Sequence, residues 1–137
     1  MVAVALKHCP KEIASRFTGM QTSAFAIDLP DGAVDSIYSM RLMHHIGQSE
    51  HRVAMLKEFH RVTRDAVIMS LWVDGNFKAH QRVKSEKRHP RGENQNRFLI
   101  PAKQIEQEIA EAGFTVLNHL DFLPYYAMWR VYVLRKK

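Results

Sequence analysis

The sequence predicts an α/β fold whose mostly parallel sheet ends in an antiparallel hairpin. Two apolar runs, at residues 36–43 and 66–72, have the length and composition of buried strands. Between them, apolar side chains recur every three or four residues from Val53 to Val62, and Ser49 can cap the start of a helix there. Strand, helix and strand in this order form a βαβ unit, in which the two strands lie parallel.

The rest of the chain extends this unit on both sides. Residues 1–8 indicate the last turns of a helix, and residues 15–21 are expected to add a third parallel strand. Pro101 begins a later helix with an apolar stripe. Residues 114–122 and 128–135 follow as the two strands of the hairpin.

Length and composition indicate one domain, residues 1–137. The 46% apolar and 25% charged residues are ordinary for a globular protein, although 137 residues are few for a complete doubly wound fold. No apolar run approaches the roughly 18 residues that span a bilayer, and the single cysteine cannot form an internal disulfide. We therefore expect a cytoplasmic protein without a membrane partner. The histidines show no zinc-ligand spacing, so we expect no structural metal.

The formal net charge of +6 is concentrated in the second half of the chain. Residues 1–73 carry 8 Lys/Arg against 7 Asp/Glu, and residues 74–137 carry 12 against 7. Residues 74–98 hold seven of these basic side chains and little apolar periodicity, which predicts a basic flexible insertion. Such a segment either attracts phosphate-bearing partners or is a solvated loop.

Three motifs of the central section carry a resemblance to a known family. They are Leu29-Pro30-Asp31-Gly32-Ala33-Val34-Asp35, Leu42-Met43-His44-His45-Ile46 and Glu58-Phe59-His60-Arg61-Val62. In this order they resemble the class I S-adenosylmethionine (SAM) dependent methyltransferases, in particular the methyltransferase type 11 or ubiquinone/menaquinone methyltransferase-like group. The resemblance implies a Rossmann-like fold, SAM as cofactor and transfer of a methyl group to a small-molecule acceptor.

The resemblance also implies roles for individual residues. His45 is expected to face the substrate as a general base, because a neutral imidazole can take a proton from the acceptor before methyl transfer. The expected cofactor-binding residues are Ser23, Ala24, Ser39, Met40 and Arg41, and the expected substrate-binding residues are His44, Tyr125 and Tyr126. The plainer alternatives are that one histidine is buried while the other is solvated, and that the tyrosines fill a hairpin corner. Glu58 and Arg61 are expected to pair on a helix surface.

Two SAM-binding features of the resembled family are missing from this sequence. Its six glycines form no Gly-x-Gly, and the acidic residue that holds the ribose would precede Met1. Ser23 stands where the family commonly has an aspartate beside the adenine. We therefore expect an incomplete Rossmann-like fold that binds SAM weakly or not at all alone. The chain is then either the C-terminal portion of a longer methyltransferase or a short half-fold used for binding.

Three functions stay open on the sequence. The first is methyl transfer to a small molecule, and the second is tRNA modification, since residues 96–114 and 128–137 faintly resemble wobble-uridine methyltransferases. The third is a non-catalytic, partner-binding half-fold. Because the strand at 36–43 would lack neighbours on one side, we also expect a homodimer through an exposed sheet edge.

Overall fold

The structure is a computed structural model that describes residues 2–90, 92 and 95–137. Two short helices come first, α1 (Val2–Lys7) and α2 (Lys11–Ala14). The strands are β1 (Val34–Ser39), β2 (Thr63–Trp72), β3 (Phe114–Asp121) and β4 (Trp129–Lys136). The longer helices are α3 (Ser49–Val62), α4 (Phe77–Arg88) and α5 (Ala102–Glu111), and a 3-10 turn (Met43–His45) joins β1 to α3. No helix in the described part of the chain has the length and apolar character to cross a membrane.

The four strands form one mixed sheet in the order β1-β2-β4-β3. β1 and β2 are parallel and are joined by α3, as the βαβ prediction requires. β2 pairs antiparallel with β4, and β3 and β4 form the terminal hairpin. The α/β prediction with its closing hairpin is confirmed, and of the three strand pairs in the described part of the chain β1–β2 is the parallel one.

Two strand boundaries differ from the sequence prediction. Residues 15–21 form no strand, because no strand in the described residues lies beside them to complete a hydrogen-bonded ladder. β1 ends at Ser39 instead of continuing to residue 43. The reason is local: Arg41 has a φ of 62°, a left-handed conformation that breaks an extended strand.

The two faces of the sheet differ in what lies against them. On the covered face, α3 and α5 bury alternate side chains of β2 and β4. Its buried residues include Met55, Leu56, Val67, Met69, Leu71, Ile105, Ile109, Tyr132 and Leu134. On the open face, Ile68 and Val133 are half-buried, and Tyr38, Leu120 and Phe122 are 72%, 59% and 65% exposed.

Residues 77–88 form α4, where the sequence analysis expects an irregular basic insertion. The helix begins at a strong cap, since the Asn76 side chain accepts a hydrogen bond from the Ala79 N–H at 2.8 Å. Only Ala79 is buried along the whole helix, so the sequence lacks the apolar stripe that identifies most helices. Whether this segment is flexible stays a prediction.

Candidate functional site

The loop after β1 meets the end of β2 at the carboxyl edge of the parallel pair, where doubly wound folds place ligands. Arg41 holds a left-handed conformation, which costs a residue with a side chain about 1–2 kcal/mol. A hydrogen bond offsets part of this cost, because the Arg41 N–H donates to the Ser70 hydroxyl at 2.8 Å. The bond ties the β1 loop to β2 and fixes the direction in which the loop leaves the sheet.

The first cavity lies beside the edge strand β1 and holds about 320 Å³. We call it the β1 slot, and it is lined by Thr22, Ala24, Ile27, Ile37, Tyr38, Ser39, Met40, Leu42 and Phe59. Ser39 is 6% exposed, and its hydroxyl has no hydrogen-bond partner among the described residues. Because this hydroxyl oxygen is itself hidden from solvent, a ligand in the slot can bond it only if the Ser39 side chain turns toward the slot.

One wall of the β1 slot is fixed by Arg61 on α3. Its guanidinium bonds the carboxylates of Glu58 and Asp31 and the carbonyl oxygens of Ile27 and Leu29. Glu58 also accepts the Ile27 N–H at 2.7 Å, and the Arg61 guanidinium lowers the pKa of this carboxyl group. The predicted Glu58–Arg61 pair is confirmed, and it also holds the loop that carries Ile27.

The second cavity lies on the open face of the sheet and holds about 420 Å³. We call it the Trp129 cavity, and its lining residues are Met40, Arg41, Ser70, Phe122, Trp129 and Val131. The Arg41 guanidinium lies 5.8 Å from the centre of the Trp129 ring, a cation–π geometry. Met40 lines both cavities, so they adjoin at the end of β1.

His44 packs behind the Trp129 cavity and is 2% exposed. Its ring centre lies 4.8 Å from that of Trp72, 5.0 Å from that of Trp129 and 4.1 Å from that of His45. Burial lowers the pKa of His44 to about 4, and the neighbouring His45 and guanidinium groups act in the same direction. His44 is therefore neutral at pH 7, and its Nδ1 has no hydrogen-bond partner in the described part of the chain.

His45 is exposed, and its ring nitrogens are distinguished by one contact. Nδ1 lies within hydrogen-bond distance of the Asn96 carbonyl oxygen. A carbonyl oxygen can only accept, so Nδ1 carries the proton and Nε2 of the neutral ring carries the lone pair. His45 is not among the lining residues of either cavity. Its ring packs against the His44 ring, which lies behind the Trp129 cavity.

The structure brings some of the predicted site residues together and leaves others apart. Ala24, Ser39 and Met40 line the β1 slot, and Arg41 lines the adjoining cavity. The Ser23 hydroxyl instead accepts the N–H of Phe25 at 3.2 Å within a local turn.

Both predicted tyrosines lie away from the two cavities, in the turn before β4. Tyr125 lines a separate cavity of about 490 Å³ beside α4. Tyr126 stacks on Phe77, with ring centres 5.7 Å apart and planes 15° apart.

Sequence reasoning missed Ser70 and Trp72. The available signal was the pair of tryptophans at the ends of the predicted strands. The antiparallel register places Trp72 opposite Trp129, with ring centres 5.6 Å apart. Among the described residues, no group of three His, Cys, Asp or Glu side chains is placed to hold a metal ion.

A model of the methyltransferase domain family matches residues 1–71, which is half of the chain. The chain belongs to this family. No curated protein sequence matches it. The recognised part ends inside β2, so it includes the β1 slot and Arg41 but not Trp129.

Solved structures show the same fold at low sequence identity. Magnesium protoporphyrin IX methyltransferase from Synechocystis PCC 6803, with bound SAH, has a TM-score of 0.71 and 13% identity over 100% of this chain. A SAM-dependent methyltransferase from Methanosarcina mazei has a TM-score of 0.70 and 12% identity over 98% of the chain. The cyclase SpnF has a TM-score of 0.68 and 15% identity over 98%. The chain spans 60%, 74% and 62% of the lengths of these proteins, respectively.

Proposed function

We propose that this chain carries adjoining donor and acceptor sites for SAM-dependent methyl transfer to a small molecule. The observation that carries the proposal is that the β1 slot and the Trp129 cavity share Met40 at the carboxyl edge of the sheet. Methyl transfer requires a donor and an acceptor held in near contact, and two adjoining cavities provide that arrangement. Family membership supports the donor, and the open, largely apolar second cavity supports a small acceptor.

The β1 slot fits the adenine end of SAM better than its polar end. Its apolar lining suits a flat ring, with Ala24 on one wall and the unpaired Ser39 hydroxyl as a hydrogen-bonding group. SAM would supply an electrophilic methyl group when bound. No carboxylate lines the slot in the described part of the chain to hold the ribose hydroxyls. Several missing hydrogen bonds at about 1–3 kcal/mol each reduce micromolar binding to millimolar or weaker.

His45 is the proposed general base. Its Nε2 lone pair, set by the Nδ1 contact with Asn96, can take a proton from an acceptor hydroxyl or amine. Because His45 lines neither cavity, this role requires an acceptor that extends from the Trp129 cavity past the His44 ring. His44 is a poorer base because burial keeps its pKa near 4, and we assign it a positioning role against the His45 ring.

The donor site is tested by titrating the chain with SAM and following the ligand's NMR signals. We expect weak, saturable binding that Met40→Asp reduces at least fivefold. Leu117→Asp is the matched control, because Met40 and Leu117 are 51% and 52% exposed and Leu117 lies on β3. Equal weakening by both variants would contradict the proposed slot, and micromolar binding by the unaltered chain would contradict the missing polar contacts.

A second candidate, tRNA modification, is favoured by one observation. α4 carries five basic side chains and one acidic side chain, Glu86, and it lies beside Trp72 through Arg82. Phosphate contacts of this kind lose affinity steeply as salt rises. This candidate would be favoured over the first if tRNA binding depends on salt and is weakened by Lys84→Glu, and if the chain binds no small-molecule acceptor.

We further propose that the outer edge of β1 mediates a homodimer. β1 pairs only with β2 among the described strands, and Tyr38 on it is 72% exposed. A free strand edge with an exposed aromatic residue favours pairing with a second copy. Light scattering should show a dimer that Tyr38→Lys converts to monomer, whereas a monodisperse unaltered monomer at high micromolar concentration would refute it.

A further inference from the structure

The Trp129 cavity contains one feature that methyl transfer by itself does not require, a charged wall. Of its six lining residues only Arg41 is charged, and its guanidinium lies over the Trp129 ring. The guanidinium of Arg97 lies 5.9 Å from the centre of the neighbouring Trp72 ring. The Arg82 guanidinium lies 4.9 Å from the same Trp72 ring but pairs with Glu86. Arg41 and Arg97 are therefore the two cations over the tryptophans that lack a carboxylate partner among the described residues.

These cations differ from the other arginines near the sheet in their partners. Arg52, Arg61 and Arg130 each form an ion pair with a carboxylate. Among the residues that the structure describes, neither Arg41 nor Arg97 has a carboxylate within ion-pair distance. A guanidinium placed at a cavity without an internal anion is available for a carboxylate or a phosphate, which it can bind through two parallel hydrogen bonds.

The backbone of Arg41 is held by the fold, and its exposed side chain contacts the Trp129 ring. Its left-handed backbone is tied to the Ser70 hydroxyl, and Ser70 is 3% exposed on a central strand. Strained residues held in this manner concentrate at ligand sites. The strain and the cation–π contact together keep the guanidinium at the cavity wall.

We propose that the ligand of the Trp129 cavity is a small molecule with an apolar ring and an anionic group, carboxylate or phosphate, which Arg41 binds. Arg97 adds to the positive potential from the neighbouring tryptophan. Identifying this ligand with the methyl acceptor rests on the proposed function, whereas the anion site does not.

The chain reports on this site directly, because its only two tryptophans are Trp72 and Trp129. Tryptophan fluorescence is titrated without SAM, using benzoate, phenyl phosphate and neutral benzamide as probes. We expect at least one anion to bind tenfold or more tightly than benzamide, and the better anion distinguishes a carboxylate from a phosphate ligand. Equal affinity for all three probes would overturn the proposal.

Charge-removing variants then assign the binding to residues. Arg41→Gln should weaken anion binding at least tenfold, and Arg97→Gln about threefold. The control is Arg135→Gln, which removes the same charge at the other end of the sheet, where Arg135 pairs with Asp65. Equal weakening by the control and by Arg41→Gln would overturn the site. If Arg41→Gln fails to fold by circular dichroism, the comparison of Arg97→Gln with the control decides.

The outcome also separates this proposal from the proposed function. Anion binding through Arg41 by a chain that shows no SAM binding would keep the anion site and reject methyl transfer. SAM binding by a chain that binds neither benzoate nor phenyl phosphate more tightly than benzamide would reject the anion site and keep the proposed function.

Discussion

The two faces of the sheet differ in their burial and in the cavities that they carry. On the covered face, α3 and α5 bury every second side chain of β2 and β4, and Met55, Leu56 and Met69 are fully buried. On the open face, Tyr38 and Phe122 are mostly exposed, and the Trp129 cavity opens there. Most of the buried apolar side chains of these strands lie on the covered face, whereas burial on the open face is concentrated at one end, around Trp72, and leaves the surface near Tyr38 and Phe122 free to bind.

The arginines on the two sides of the sheet also differ in their partners. On the covered side, Arg52 and Glu108 form a bidentate pair whose side chains are 3% and 4% exposed. Arg52 also donates to the carbonyl oxygens of Ile46 and Gly47, the residues that follow the His44-His45 turn. Charge on this side is used to join α3, α5 and the loop that carries the histidines. On the open side, Arg41 is left without a carboxylate in the described residues.

The largest effect is expected from breaking the buried pair. Glu108→Ala leaves the Arg52 guanidinium buried and uncompensated, which should lower the free energy of unfolding by about 3–5 kcal/mol. Urea denaturation measures this value. Glu111→Ala on the same helix is the control, since the Glu111 side chain is 62% exposed and its ion pair with Lys57 is long, at 3.6 Å. A similar loss in both variants would mean that the buried pair does not organise the covered side.

The next prediction compares adjacent residues of β2 that face opposite sides. Met69 is fully buried on the covered face, so Met69→Ala should cost about 2–5 kcal/mol through lost burial and the remaining cavity. Ile68 is half-buried on the open face, and Ile68→Ala should cost about 1 kcal/mol. The midpoints of thermal and urea unfolding give both values. Equal costs would contradict the difference in burial between the two faces.

The sequence predicted an element correctly where the residues that form the covered face recur at regular spacing. α3, α5 and β2 follow from apolar spacing, because each buries a regular series of side chains. The strand expected at residues 15–21 was wrong because a strand depends on a neighbour that local pattern cannot supply. α4 was missed because its residues are almost all exposed.

The site was less accessible to sequence reasoning than the fold. Ser39 and Met40 could be placed because both lie within the strand predicted at residues 36–43, although β1 ends at Ser39 and Met40 follows it. The contact between Trp72 and Trp129 depends on the antiparallel register of two strands that are far apart in the chain. The Arg41 side chain reaches the Trp129 cavity from a left-handed backbone conformation. Such a conformation is usually predicted from a glycine, and here the residue is an arginine.

A smaller effect than the losses on the covered face is expected in the pH dependence of stability, which tests how firmly His44 is buried between the two tryptophans. The ordinary pKa of 6.5 applies in the unfolded chain, and the folded pKa is about 4. Between these values the unfolded chain binds a proton at His44 that the folded chain does not bind. The free energy of unfolding therefore rises with pH across this window. The contribution of His44 to stability is fully present above the unfolded pKa and is lost as the pH falls toward 4.

This contribution amounts to about 2 kcal/mol between pH 7 and roughly pH 4.5. His60 adds a loss of the same sign, since burial and the nearby Lys136 also lower its pKa. Urea unfolding at a series of pH values should show a flatter profile for His44→Gln, which cannot take up the proton, than for the unaltered chain. His60→Gln is the control and should keep the steeper part that His44 provides. Parallel profiles for the unaltered chain and His44→Gln would mean that water reaches His44, and the open face would then lack the dry aromatic cluster that supports its cavity.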